Sequence, residues 1–142
     1  MQQNIKKSLV VNTTSSTFIK HNWPGISWAL FIFILSSISP PSFKIPDLFD
    51  LFAPDKVVHF FFYAILVILL TRGFRQMPPG RIVRNQFSIA FFSSAIFGGL
   101  IELYQGFFLS DRTGDWVDFL ANCVGATIGW LSFKLYDSLF NK

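Results

Sequence analysis

The sequence predicts an all-α integral membrane protein, a four-helix bundle with both termini in the cytoplasm. Three observations carry that expectation. Charged residues make up 14% of the 142 positions, against roughly 25% in an ordinary soluble domain. Hydrophobic residues make up 51%, with 19 Phe, which leaves too little polar surface to coat a water-soluble globule. The apolar residues are also gathered into four runs separated by polar or proline-bearing breaks, so that lipid replaces water around them. The same figures exclude a disordered tail and a coiled coil. The single Cys123 cannot form an internal disulfide and reads as a small packing residue.

Residues 1–22 are polar and read as a cytoplasmic tail, with Lys6, Lys7 and Lys20. The first apolar run, 23–38, ends at Ser39-Pro40-Pro41. Its length as a helix is roughly 24 Å, short for a span but sufficient with its flanks. A cleaved leader is the competing reading, disfavoured by the late start of the run and by Pro40 after the best small-residue site. A proline-rich outer loop with Asp47 and Asp50 follows. The second run opens at Pro54-Asp55, a helix-start signal, and continues to Thr71. A basic loop holds Arg72, Arg75, Arg81 and Arg84, and Pro78-Pro79-Gly80 breaks helix there. The third run spans 87–108. A short loop with Asp111 and Arg112 leads to the fourth, from Asp115 to about Tyr136, and residues 138–142 form a short C-terminal tail.

Charge sets the orientation. With the N-terminus inside, Lys6, Lys7, Lys20, Arg72, Arg75, Arg81, Arg84, Lys134 and Lys142 all lie inside, and only Lys44, Lys56 and Arg112 lie outside. A Lys/Arg excess on the cytoplasmic side is the physical determinant of topology. The acidic residues split the opposite way, with Asp137 alone inside. Because the basic residues lie between apolar runs, not on one polar face, nucleic acid is not an expected partner.

The outer ends of the helices carry the informative residues. Asp55, His59 and Tyr63 are spaced by four and share a helix face. Glu102 and Gln105 share a face near the end of the third run. Asp115, Asp118, Asn122, Gly125 and Gly129 are spaced 3, 4, 3 and 4, one helical stripe. Gly125 and Gly129 form a GxxxG pair that admits a second backbone closely. Ionisable groups inside apolar helices are costly and turn to the bundle interior. A shared polar pocket at the outer face is therefore expected, lined by Asp55, Lys56, His59, Glu102, Gln105, Arg112, Asp115, Asp118 and Asn122. Simpler roles remain open: Asp55 and Asp115 as helix caps, Lys56 as an interfacial cation, His59 as a polar packing residue, Asn122 as a bridge between helices, Tyr63 and Tyr104 as interfacial aromatics. Glu102, flanked by Phe91–Ile101 and Phe107-Phe108, is hardest to explain so.

At these residues the chain resembles the VanZ-like family. The resemblance rests on Leu35-Ser36-Ser37, on Asp55-Lys56-Val57-Val58-His59 with Tyr63 and Leu66, and on Glu102-Leu103-Tyr104-Gln105. It continues through Arg112-Thr113-Gly114-Asp115 and Asp118-Phe119-Leu120-Ala121-Asn122 to Gly125 and Gly129. It covers roughly 23–134 and implies a four-helix domain over 23–137 in the inner membrane of a bacterium, and a connection with susceptibility to teicoplanin-type glycopeptides.

Enzyme templates are missing: there is no GxSxG, HExxH or phosphate loop. Asp55 and His59, with Glu102 and Asp118, are ligand types for Mg²⁺ or Mn²⁺, but a dedicated metal site or other cofactor is not expected from the spacing. Two functions fit. One is binding of an amphiphile, such as a lipid-linked cell-wall precursor or a lipidated glycopeptide. The other is enzymatic change of a lipid-linked phosphate head group, with Glu102 and His59 as the candidate catalytic acid/base pair and Lys56 and Arg112 holding phosphate. A proton-coupled transporter ranks third, since four short helices leave little room for a path.

Overall fold

The computed structural model describes residues 2–38, 54–109 and 116–140, with side chains from 16 onward except 54, 55 and 81. Every regular element among the described residues is a helix: α1 Gln2–Ser37, α2 Pro54–Arg75, α3 Arg81–Arg84, α4 Gln86–Phe108 and α5 Trp116–Phe140. Four long helices are therefore present where four were expected.

Their bounds differ from expectation in instructive ways. α1 begins at Gln2 and runs straight into the apolar segment, with Pro24 inside it. The segment read as a tail is thus helical. Proline lacks an N–H, so its bond to the carbonyl four residues back is missing, yet the helix continues. Tertiary packing holds that stretch: Phe18 lies 6.2 Å from Phe74, ring to ring, and the buried Asn22 reaches Met77 Sδ at 3.8 Å. α2 starts at Pro54, a favoured first-turn residue. It runs past Thr71 to place Arg72 and Arg75 in its last turn, where cations complement the helix dipole. The basic loop is not wholly irregular, because α3 forms after Pro78-Pro79-Gly80. α4 matches the third run almost to the residue, and α5 outlasts the fourth, to Phe140.

Contacts at the helix ends define the arrangement. Lys56 pairs with Asp118 near the starts of α2 and α5, and Arg75 pairs with Asp137 near their ends, so these two helices run parallel. His21 meets Gln76 at 3.2 Å, and Gln105 Nε2 donates to the Ser36 carbonyl at 3.0 Å, so α1 and α4 run the other way. α2 is central and packs against α1, α4 and α5.

The closest approach is that of α5 on α2, and the expected glycine pair makes it. A Cβ on Gly125 would come 2.8 Å from the Phe60 carbonyl carbon, and one on Gly129 would come 2.8 Å from Ala64 Cα. Neither fits. On the α1 side, Trp28 Nε1 donates to the Phe62 carbonyl at 3.0 Å. The apolar core between these contacts holds Ile32, Tyr63, Leu66, Val67, Phe74, Ala90 and Ala126. Tyr63 is fully buried, which corrects its reading as an interfacial aromatic: it sits one turn inside His59, under α4 and α5.

The surface has the inverse of a soluble bundle's pattern. Ser94, Gly98, Glu102 and Gln105 of α4 face inward, while Phe92, Ile96, Leu100 and Leu103 of the same helix are each more than half exposed. α5 does the same, with Asp118, Asn122, Gly125 and Gly129 inside and Leu120, Val124, Ile128 and Leu131 outside. Two helices among the described residues are long and apolar enough to cross a membrane: Lys56–Arg75, with mean hydropathy 2.0, and Gln86–Phe108, with 1.5.

Candidate functional site

Helical periodicity turns one stripe of each helix inward, and packing then sets which stripes meet. α2 contributes Lys56, His59 and Tyr63, α4 contributes Glu102, and α5 contributes Asp118 and Asn122. Potential donor atoms of His59, Glu102 and Asp118 all lie within 4.8 Å of one another, and all three residues are buried. Packing thus brings one polar side chain from each of the three helices into a common buried cluster.

Two contacts organise it. Lys56 Nζ stands 3.6 Å from Asp118 Oδ1, with both side chains only slightly exposed. His59 Nδ1 lies 3.0 Å from Asn122 Oδ1. An amide oxygen only accepts, so Nδ1 donates, and the neutral ring then carries its lone pair on Nε2. Gly98 makes room beneath: a Cβ there would sit 3.1 Å from Tyr63 Cε1 and 3.2 Å from Asn122 Nδ2. Two carboxyl groups and one ammonium are thus gathered in a largely buried cluster. Charge there is tolerable only when it is paired or offset.

The remaining expected site residues divide. Gln105 is buried, but its amide is spent on the α1 backbone at Ser36, so it ties two helices together at this end. Asp55 lies in the first turn of α2 with its side chain outside the described residues, as are Arg112 and Asp115 altogether. Tyr104 is half-buried, stacked on Phe108 at 5.6 Å and tilted against Phe33 at 5.3 Å. Gly125 and Gly129 lie against the α2 backbone at Phe60 and Ala64.

Sequence reasoning missed an apolar groove of about 480 Å³ between α4 and α5, lined by Ile96, Gly99, Leu100, Glu102, Leu103, Gly106, Phe107, Trp116 and Phe119. Its residues look like ordinary lipid-facing positions, and no spacing signal separates them. Glu102 belongs to both features: it closes the polar cluster on one side and borders the groove on the other. The arrangement is therefore amphiphilic, with charge beside a slot of hydrocarbon character. It has the groups to hold a cation, to pass a proton between carboxylate and imidazole, and to seat an apolar chain.

An inward polar stripe under an apolar exterior, with two helices of spanning length, points to a membrane protein. A family model described as VanZ/LLP1 matches residues 2–137, nearly the whole chain and more than the sequence resemblance covered. The protein belongs to the VanZ/LLP1 family. No curated protein and no solved structure matches it.

Proposed function

We propose that this chain is a multi-pass protein of the bacterial inner membrane, a bundle of four spanning helices with both termini cytoplasmic. In this reading its extracytoplasmic recess binds an amphiphilic envelope ligand. The ligand class is a lipid-linked cell-wall precursor or a lipidated glycopeptide, and binding alters susceptibility to teicoplanin-type glycopeptides. The observation that carries the reading is the double position of Glu102, between the buried His59–Asp118 cluster and the apolar groove. A head group meets Lys56, His59 and Asn122 while its chain lies along Leu103, Phe107 and Phe119. The outward apolar faces of α4 and α5 supply the lateral route from the bilayer.

The test is photocrosslinking of the protein in nanodiscs with a diazirine-bearing polyprenyl phosphate. Labelling of the groove is expected, and Gly99→Leu should abolish it, because a Cβ at Gly99 lies 3.5 Å from the Phe119 ring and a larger side chain there fills the slot. Labelling spread evenly over α1, α4 and α5, unchanged by Gly99→Leu, would reject the reading.

The second reading, an enzyme acting on a lipid-linked phosphate head group, is favoured by one observation: the His59 ring is held by Asn122 with Glu102 beside it, the positioned base that proton transfer requires. Glu102→Gln separates the two. A binding protein keeps much of its ligand affinity with the isosteric amide and loses it with Glu102→Leu. An enzyme loses turnover with either.

A further inference from the structure

The cluster of His59, Glu102 and Asp118 joins three helices. Three donor groups of metal-ligating type come from three different helices, all buried, with donor atoms within 4.8 Å. We infer that these residues form a binding site for one divalent transition-metal ion of the Zn²⁺, Mn²⁺ or Co²⁺ type. The spacing along the chain gives no metal motif, because each helix contributes a single ligand and the site exists only after packing.

The donor set is one imidazole and two carboxylates, which suits borderline cations. A coordination shell of about 2.1 Å radius spaces neighbouring ligand atoms by about 3.4 Å, so closing on an ion asks roughly an ångström of side-chain movement. Two independent features support it. Asn122 Oδ1 holds His59 Nδ1 at 3.0 Å, the outer contact that orients a ligating histidine and leaves its other nitrogen for the metal. In addition, Asn122 Nδ2 and the Tyr63 hydroxyl, on fully buried residues, have no hydrogen-bond partner among the described residues. Asn122 Nδ2 and the Tyr63 ring carbon Cζ lie 3.2 and 3.3 Å from where a Cβ on Gly98 would sit. Buried polar groups are rarely left so, and solvent drawn into the cluster with the ion gives them a partner.

A dication offsets Glu102 and Asp118 together, and it competes with the Lys56 ammonium 3.6 Å from Asp118. A recess with two carboxylates becomes one that accepts an anionic head group. That last consequence rests on the amphiphile reading; the metal site does not.

The experiment uses the full chain purified in detergent, stripped with chelator, and titrated with Co²⁺ and with Mn²⁺ alone. One equivalent of Co²⁺ per chain with a ligand-field absorption band, and a ¹⁴N imidazole coupling on bound Mn²⁺ in pulsed electron resonance, are expected. His59→Ala should remove the coupling, and Glu102→Gln and Asp118→Asn should each weaken binding by at least about 10- to 100-fold. Asn122→Leu should weaken it by about 10-fold through the outer contact. Lys56→Met should tighten it several-fold. Absence of saturable binding by the unaltered protein, or a Mn²⁺ signal without nitrogen coupling, overturns the inference without recourse to any variant. Unchanged affinity in both His59→Ala and Glu102→Gln overturns it as well.

Discussion

At the scale of single residues, the decisive fact is that similar side chains on neighbouring turns have different work. Glu102 and Gln105 lie one turn apart on the same face of α4, yet Glu102 enters the recess while Gln105 donates to the Ser36 carbonyl at the end of α1. That carbonyl belongs to the last turn of α1, where backbone acceptors have no helical partner. Gln105→Leu strands it, at a cost of about 1–3 kcal/mol. Thermal unfolding followed by circular dichroism in detergent should show a melting temperature lower by several degrees, with affinity for the polyprenyl phosphate probe little changed. Asn122→Leu gives the converse: it releases the His59 ring, so ligand or metal affinity falls more than stability does. Both residues were recognisable in the sequence as polar and inward. Their separation into a structural and a site residue was not, because it depends on what the facing helix presents at that depth.

Among the helices, α2 and α5 pack most closely. The 3, 4, 3, 4 stripe of α5 is polar near its start and glycine beyond, and both halves are used against α2: Asp118 and Asn122 reach Lys56 and His59, while Gly125 and Gly129 admit the backbone at Phe60 and Ala64. The glycines set the distance at which the polar contacts close. Gly125→Ala should cost about 1–3 kcal/mol from overpacking and widen the gap between His59 and Asn122. Its probe affinity should therefore fall with its melting temperature. Gly99→Ala, whose Cβ meets only ordinary contact with the Phe119 ring, should leave the melting temperature unchanged within a degree or two; equal losses in the two variants would contradict the packing argument. The GxxxG spacing was plain in the sequence. Its partner was not, since a small-residue stripe specifies close approach without naming the helix that approaches.

For the molecule as a whole, one end of the bundle carries the recess and the other carries Arg75 paired with Asp137. Asp137, the only acidic residue expected on the inner side, pairs with Arg75 in the last turn of α2. The pair is partly exposed, so it contributes at most about 1 kcal/mol, but it aligns the ends of α2 and α5. The proposed topology is checked by reporters. A periplasm-sensitive tag at Asp111 should report the exterior and one at Gly80 the cytoplasm. A cytoplasmic signal at Asp111 would put the recess on the wrong face of the membrane for an envelope ligand.

Composition and the four apolar runs determined that this chain is helical and where the apolar stretches of its long helices lie, and spacing grouped the polar residues that share a face on α2, α4 and α5, because helical periodicity is a local property that propagates about 100° per residue whatever surrounds it. Continuation of α1 back through Pro24, burial of Tyr63, the diversion of Gln105 to Ser36, the meeting of His59, Glu102 and Asp118, and the groove beside Glu102 were decided only by tertiary structure. Each depends on the rotation and depth of one helix relative to another, and those are set by side-chain volume at interfaces such as Gly125 on Phe60, a quantity no single helix contains.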